Sequence, residues 1–473
     1  MAAGQGTRMR SAIPKVLHPV CGRPMVAWPV LAARAAGAER IAVIASPGRD
    51  LGPGLPPGTE TVLQPEADGT GGAVRAASEL LAGLAPNATV VVLSGDVPLV
   101  GAETITELLA THHEAGAAAT VLTALLEDPG TYGRVVRDEQ GHVARIVETK
   151  EAGDADPAEL EIREINTGIY AFEAAPLLAA LERISNDNAQ GEYYLPDVLP
   201  LIATGAAGAA GAERGAGGAG GTVAARVAED HAVLLGVNNR ADLAAVEAEA
   251  RRRILHRHLL NGVTITDPAS TWVDADVELA ADVTLHPGTY LRGATRIGAG
   301  SQVGPHATIT DGTLAERVTV LHSVVTDSSI GEDSQIGPFA HLRPGTILQP
   351  GARAGTFVEL KNSELGPGAK VPHLAYVGDA DIGAGANLGA GTITANYDGF
   401  RKHRTRVGDN ARVGVDTMLI APVDIGPGAY TGGGSVISED VPAGALGISR
   451  PAQENIEGFA ERKAAIAKEE DNS

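Results

Sequence analysis

The stretch Arg296-Ile297-Gly298-Ala299-Gly300-Ser301-Gln302-Val303-Gly304-Pro305-His306-Ala307-Thr308-Ile309 puts a branched aliphatic residue at every sixth position, and the pattern extends in both directions. Upstream the same phase holds Val273, Leu279, Leu285 and Leu291. Downstream, after a frame shift, come Val318, Val324, Ile330, Ile336, Leu342, Leu348, Ala354 and Leu360. Leu365, Val371 and Val377 follow, then Ile382 and Leu388, then Val407, Val413, Leu419, Ile425, Thr431 and Ile437. In an α-helix a step of six turns by about 240°, which scatters these side chains over three faces and leaves no apolar stripe. Six is a multiple of the strand period of two, so each repeat can aim its aliphatic residue at one interior. Glycine often follows the aliphatic (Gly298, Gly304, Gly331, Gly337), and a small residue often stands four after it (Ser301, Ala307, Ser334, Ala340). The sequence between Val273 and Ile437 therefore reads as a parallel β-helix of hexapeptide repeats, with small or permissive residues at tight corners. Such a prism can be a spacer or an oligomerisation post as well as a carrier of a site.

At 473 residues the chain exceeds one ordinary core, and two domains are expected. A formal charge of −21 with no long Lys/Arg run excludes broad nucleic-acid binding, so a phosphorylated ligand needs a local basic cluster. Cys21 is the only cysteine, which rules out an intrachain disulfide or a Cys-rich zinc site and fits a reducing cytoplasm. No signal peptide and no apolar run of about 18 residues is present, so neither export nor membrane spanning is expected. The expected organisation is 1–240 for the first domain, 241–262 for a linker helix and 263–473 for the β-helix with its tail. The linker is rich in Ala, Glu, Arg and Leu and stops at Asn261-Gly262. The nearly pure Ala/Gly segment around 203–221 reads as a flexible surface insertion, and the residues from about Ile456 as a short exposed helix or frayed tail.

In the N-terminal half, apolar runs (Ile41 to Ala45, Thr89 to Leu93) alternate with Ala-rich helical stretches such as Ala73 to Leu84. This is the signature of a Rossmann-like α/β domain with a mostly parallel sheet and ligands at the carboxyl ends of its strands. The opening Ala2-Ala3-Gly4-Gln5-Gly6-Thr7-Arg8-Met9 is a Gly-rich turn, but Met9 stands where a dinucleotide fingerprint needs a third glycine, and no Gly-Lys-Ser/Thr follows. Alone it is a turn. With Arg8 and Lys15 nearby it becomes a place where freed backbone amides and two cations can meet a triphosphate. Ser94-Gly95-Asp96 closes the second apolar run, and Asp96 reads either as a helix-capping aspartate or as a magnesium ligand holding a cation against phosphate oxygens. Gln64-Pro65-Glu66, Gly69-Thr70-Gly71, Tyr132-Gly133-Arg134, Glu148, Asn166 and Asn238 add polar groups with little core rationale.

In that order these strings resemble the bifunctional enzymes of UDP-N-acetylglucosamine synthesis, in which an N-acetylglucosamine-1-phosphate uridyltransferase is fused to a glucosamine-1-phosphate acetyltransferase. The resemblance covers nearly the whole chain. It implies that Ala2, Ala3, Gly4 and Lys15 meet the nucleotide with Ser94 and Gly95, that Gln64, Gly69 and Thr70 hold uracil and ribose, and that Gly133, Glu148 and Asn166 bind the amino sugar. It makes Asp96 and Asn238 the ligands of Mg2+, and Lys15 and Arg8 the cations at the reacting phosphates of UTP. The β-helix likewise resembles hexapeptide-repeat acyltransferases, which are left-handed trimers with sites between neighbouring prisms. The resemblance implies a homotrimer acting on sugar phosphates, with His373 as general base, Arg343, Lys361, Tyr376 and Asn387 on the sugar phosphate, and Ala390, Asn396, Tyr397, Val415, Gly433 and Arg450 on acetyl-CoA. A break in the six-residue phase between Leu388 and Val407 carries Asn396-Tyr397-Asp398-Gly399 to His403, an excursion from which the repeat itself gains nothing.

Four departures stand out, one of them the Ala/Gly segment around 203–221, which is longer than the family needs. The family opens with an apolar strand running into Leu-Ala-Ala-Gly, whereas Met1 stands where that leucine belongs, so the first strand is expected to be missing and an in-frame start to lie upstream. Val415 replaces a usual serine, and Gly433 a usual alanine. Two other readings remain open: a sugar-1-phosphate nucleotidyltransferase with a non-catalytic β-helix, and a non-catalytic assembly protein on the same two folds.

Overall fold

The computed structural model describes residues 1–4, 6–149, 155–188, 190–205 and 221–471, so most of the expected Ala/Gly insertion lies outside the described residues. The chain falls into two compact units, Met1–Ile254 and Leu255–Ser473. The boundary lies inside a 21-residue helix, Arg240–Leu260, whose Ala, Leu, Glu and Arg content favours the helical state throughout. Among the described residues no helix is long and apolar enough to cross a membrane.

In the first unit, α1 (Ala27–Ala35) leads to β1 (Ala42–Ala45), which pairs in parallel with β2 (Glu60–Leu63). Helices α2 (Gly69–Arg75) and α3 (Ser78–Ala82) follow, then β3 (Thr89–Val92), α4 (Ala102–Glu114), β4 (Ala119–Leu125), β5 (Arg134–Arg137), β6 (Val143–Val147), β7 (Glu164–Glu173), α5 (Ala174–Leu181), α6 (Val198–Ala203) and β8 (Val223–Val227). The Ala-rich stretch expected to form one helix from 73 to 84 is broken, because the Ser78 hydroxyl donates to the Arg75 carbonyl at 2.6 Å and competes with the helical amide. The sheet is also less parallel than the alternation of elements implies. β4 and β8 are parallel, but β7 runs antiparallel between β3 and β4, and β5 is antiparallel to both β6 and β7. The core fills both faces of this sheet. Val121, Tyr170 and Phe172 pack with Leu177 and Leu181 on one side, and Ile105, Leu108, Ile169 and Val233 form the other.

The second unit is a parallel β-helix whose short strands stack into three ladders of eleven, ten and nine strands. Trp272 pairs with Tyr290, eighteen residues later, which is one coil of three hexapeptides. The aliphatic positions lie inside, with Leu285, Leu291, Val303, Ile309, Leu342, Leu360 and Leu388 fully buried. The frame assigned after Ile309 is corrected at two positions. Ile309 pairs with Val325, and Val303 with Val320, so Val325 and Val320 are the inward residues, while Val324 is 42% exposed and Val318 sits beside Ser301 in the corner position. The cause is local shortening: Thr308 meets Val324 after only sixteen residues, so corners lose a residue and the count of six slips. Between Asn387 and its partner Arg412 the interval grows to 25 residues, which is the excursion seen in the sequence. A final helix, Phe459–Glu470, is exposed along its length.

Candidate active site

Lys15 stands on a short 3-10 turn after Pro14, and its ammonium donates to Asp96 Oδ2 at 2.5 Å, while the Ser94 hydroxyl donates to Oδ1 at 2.6 Å. Burial pushes the Asp96 carboxyl up, but the charge and hydrogen bonds of Lys15, with that of Ser94, outweigh it and hold the group below the usual carboxylate range. The Val237 amide donates to the Asp96 carbonyl, which brings the neighbouring Asn238 to the same end of the sheet. There the Arg8 guanidinium donates to Asn238 Oδ1 at 3.0 Å. Ala2 is tied in by its amide to Ile44, and Gly95 donates to the Met1 carbonyl. Arg8, Lys15, Ser94, Gly95, Asp96 and Asn238 are thus one cluster at the carboxyl end of β3, with Ala2 and Ala3 buried beneath and Gly4 open to solvent.

A second group forms around the start of α2. The buried Gln64 carboxamide donates to Asp68 Oδ1 and to the Gly69 carbonyl, and the Leu195 amide donates to Thr70 Oγ. Gly69 has φ +101, and a Cβ there would lie 2.5 Å from the Tyr193 carbonyl oxygen, so both conformation and space require glycine. Gly133, Glu148 and Asn166 form a third group, since Arg134 pairs with both Val147 and Ile165 and so sets these three at one edge of adjacent strands. The Asn166 amide donates to the Gly133 carbonyl, and the Tyr132 hydroxyl, one residue away, donates to the Leu234 carbonyl, near Asn238. Arg134 itself, which stood among the polar strings without core rationale, is structural. It is buried and donates to the carbonyls of Gly130, Pro129 and Tyr132, clamping its own loop.

On the β-helix, Arg343, Lys361 and Tyr376 share one ladder. Lys361 pairs with Gly378, Tyr376 pairs with Glu359, and Arg343 donates to Glu359 at 2.9 Å. A Cβ on Gly378 would lie 2.4 Å from the Tyr376 hydroxyl and 2.8 Å from the Asn396 amide nitrogen, so the bare glycine makes room for both. Lys361 lies 3.6 Å from Asp379, whose carboxylate also accepts from Asn362 and, at 2.5 Å, from Asn396. Sequence reading missed Lys402. The excursion folds back so that Tyr397 bridges to Lys402, Asp398 accepts from the amides of Phe400 and Arg401, and His403 Nε2 closes the loop on Asp398 at 2.7 Å. Lys402 then faces Lys361, whose ammonium pulls it below the ordinary lysine range. The only signal in the sequence was that this lysine lies inside the phase break.

His373 is exposed at the end of the strand Lys370–His373, one corner before Tyr376. Asn387 pairs with Lys370 on the next coil. Ala390, Val415 and Gly433 stack on successive coils: Asp416 donates to the Ala390 carbonyl and Gly434 to that of Val415. Arg450 donates to the Gly433 carbonyl at 2.9 Å, and Tyr397 stands 61% exposed on the excursion.

Fold and clusters together define a two-unit transferase, with a nucleotidyltransferase-type α/β unit followed by a hexapeptide β-helix that presents a cationic face beside a histidine. Residues 1–262 match the MobA-like NTP transferase domain. Over 97% of its length the chain is 50% identical to the bifunctional protein GlmU of Kineococcus radiotolerans, of which 90% is covered. It is 46% identical over 98% of its length to that of Brevibacillus brevis (96% covered) and 45% identical over 98% to that of Mycobacterium tuberculosis (92% covered). The chain belongs to the bifunctional GlmU family.

Proposed function

We propose that the two clusters are the two active sites of UDP-N-acetylglucosamine synthesis, with uridyl transfer in Met1–Ile254 and acetyl transfer in Leu255–Ser473. The chain is a nucleotidyltransferase and an acetyltransferase. In the first reaction of the sequence, the amine of glucosamine-1-phosphate attacks the thioester carbonyl of acetyl-CoA and the CoA thiol leaves. His373 takes the amine proton, and Arg343, Lys361, Lys402, Tyr376 and Asn387 hold the sugar phosphate. Ala390, Val415, Gly433 and Arg450 line the path of CoA over successive coils, with Asn396 and Tyr397 above it. His373 lies on an open face, so a neighbouring copy must close the site around CoA and sugar, which supports a homotrimer.

In the second reaction an oxygen of N-acetylglucosamine-1-phosphate attacks the α-phosphorus of UTP in line and pyrophosphate departs. Lys15 and Arg8 neutralise the spreading charge, Ala2 to Gly4, Ser94 and Gly95 border the phosphates, Gln64, Gly69 and Thr70 bind the nucleoside, and Gly133, Glu148 and Asn166 bind the amino sugar. Asp96 and Asn238 suit Mg2+. Each presents its side-chain oxygen to a cation already, Asp96 to Lys15 and Asn238 to Arg8, and one carboxylate plus substrate phosphates is an ordinary Mg2+ set. When bound, the ion supplies charge neutralisation between phosphate oxygens. Lys15, held beside Asp96, stands where its ammonium can meet a phosphate oxygen. A reducing cytoplasm suits the single buried Cys21.

The observation that carries this reading over a β-helix used only as a post is that the excursion, from which the repeat gains nothing, folds back to set Asn396 on Asp379 beside Lys361, on the ladder that also carries Tyr376. The test is one reaction: purified chain with glucosamine-1-phosphate, acetyl-CoA, UTP and Mg2+, followed for UDP-N-acetylglucosamine. Product is expected. Uridyl transfer only when N-acetylglucosamine-1-phosphate is supplied ready-made would restore the post.

A further inference from the structure

Gln64 follows the last residue of β2, where its amide continues the ladder by donating to the Ala45 carbonyl, and its side chain is buried. A carboxamide offers two donors on nitrogen and an acceptor on oxygen in nearly the same outline, so its partners alone decide which atom faces which way. Nε2 donates to Asp68 Oδ1 at 2.7 Å and to the Gly69 carbonyl at 3.2 Å. Both partners are acceptors only. Turning the group over would press Oε1 against two oxygens in a buried place and forfeit both hydrogen bonds, one of them to a charged group. Oε1 is thereby set on the opposite side. Among the described residues no donor meets it, and it is not one of the buried atoms left without a partner, so it stays accessible to a ligand.

The carboxylate that fixes this amide is itself fixed. Asp68 immediately precedes α2, a place where aspartate ordinarily caps a helix, yet its side chain accepts from no amide of the first turn. Its oxygens go elsewhere, Oδ1 to Gln64 and Oδ2 to the Arg75 guanidinium at 3.2 Å. Arg75, at the far end of α2, lies over the Tyr193 ring, 3.8 Å from its centre. The Tyr193 amide donates to the Asp68 carbonyl, and the Gly71 amide to that of Tyr193, both at 2.7 Å. A Cβ on Gly72 would fall 1.9 Å from Asp68 Oδ1, so the bare glycine leaves that space to the carboxylate.

We propose that Asp68 is a positioning residue that makes the first unit select uracil over cytosine. This rests on the reading that Gln64, Gly69 and Thr70 hold the nucleoside. Uracil presents its N3–H as a donor, which Gln64 Oε1 accepts. Cytosine carries a lone pair at N3, which meets Oε1 acceptor to acceptor. The turned-over amide that would suit cytosine is the one that Asp68 and the Gly69 carbonyl forbid. Discrimination by a buried group of fixed polarity is steep, because the wrong base leaves it unpaired. Asp68 acts through Gln64 and touches no substrate itself.

The test is nucleotidyl transfer by the full chain from UTP or from CTP to N-acetylglucosamine-1-phosphate, read as the ratio of the two kcat/KM values. Asp68→Asn keeps the outline but can donate as well as accept, so the Gln64 amide can sit either way round. The ratio should fall at least about tenfold, through a higher KM for UTP and a lower one for CTP, with kcat for UTP little changed. Arg75→Met, which releases Oδ2, should lower the ratio by a smaller factor, and it decides the matter if the first variant does not fold. Equal losses with both nucleotides, or an unchanged ratio, make Asp68 a purely structural residue and overturn the inference. Gln64→Leu tells this failure from that of the nucleoside reading. A ratio that falls in Gln64→Leu but holds in Asp68→Asn rejects the role of Asp68 alone, and a ratio that holds in both rejects the placing of the base against Gln64 as well.

Discussion

The two units bury apolar residues by opposite means. In the β-helix each inward residue touches its counterpart one coil away, Leu342 between Val325 and Leu360, so the core is a column read directly from the sequence. In the α/β unit one cluster joins Val74, Val121, Phe172, Leu199 and Val223, which no short window links. The comparison teaches that a local period makes a fold legible and its chemistry obscure. On the prism most candidate site residues sit at ordinary outward positions of the repeat and only Asn396, Tyr397 and Lys402 break it, whereas in the α/β unit the candidate residues gather at strand ends where turn residues announce them.

The strongest way to break this comparison is to show that the units are not chemically separate. Asp96→Ala should lower uridyl transfer by roughly a thousandfold while acetyl transfer is unchanged, measured with each substrate pair on one preparation. Parallel loss of both activities in a folded protein would refute the division. His373→Ala is the mirror image. Acetyl transfer should fall by about two orders of magnitude, and uridyl transfer from supplied N-acetylglucosamine-1-phosphate should hold. Parental acetylation by the variant would leave the prism without its base.

A stability difference should follow from Met1. Its amine binds a proton in the unfolded chain near pH 8 but in the folded chain only near 6, because burial opposes the charge and Asp96 offsets only part of that. Between these values the unfolded state holds more protons, so stability of the first unit rises with pH, by about 2 kcal/mol from pH 6 to pH 8, and acetylating the amine should abolish the slope. Denaturant unfolding at both pH values, with a probe in each unit, measures it. A smaller effect is expected at Lys402. Lys402→Ala should raise KM for glucosamine-1-phosphate about tenfold and change kcat little, and Lys402→Arg should recover most of the loss. The smallest concerns the stacked CoA positions: Val415→Ser should tighten acetyl-CoA by about 1 kcal/mol, a roughly fivefold drop in its KM, if the restored hydroxyl finds the cofactor. An unchanged KM would show that Val415 does not face CoA.

Much of the architecture was legible in the sequence, and the misreadings have physical causes. Counting by six failed at Val318 and Val324 because corners shed residues while the strands kept their partners, and only the pairing of Ile309 with Val325 reveals the true inward residue. The sheet was taken as mostly parallel because alternating helices and strands do not announce that β7 lies antiparallel between β3 and β4. In the sites, Gly69 could be singled out because a glycine in a polar turn is conspicuous. Lys402 could not, since its role depends on a loop that Asp398 folds back over the prism. Arg134 misled for the converse reason: a charged residue beside glycine looks like a ligand, and its use as an internal clamp appears only when its three carbonyl partners are in place.

The 25-residue interval between Asn387 and Arg412 gives the prism a mechanical signature. Pulled from its C-terminal end, a stack of coils that each hold only their neighbours peels one turn at a time. Each eighteen-residue turn, such as that from Trp272 to Tyr290, releases about 60 Å of chain, and the turn bearing the excursion about 85 Å. The force trace of this protein is therefore a near-regular staircase with one long tread, and that tread marks the coil that carries Asn396, Tyr397 and Lys402.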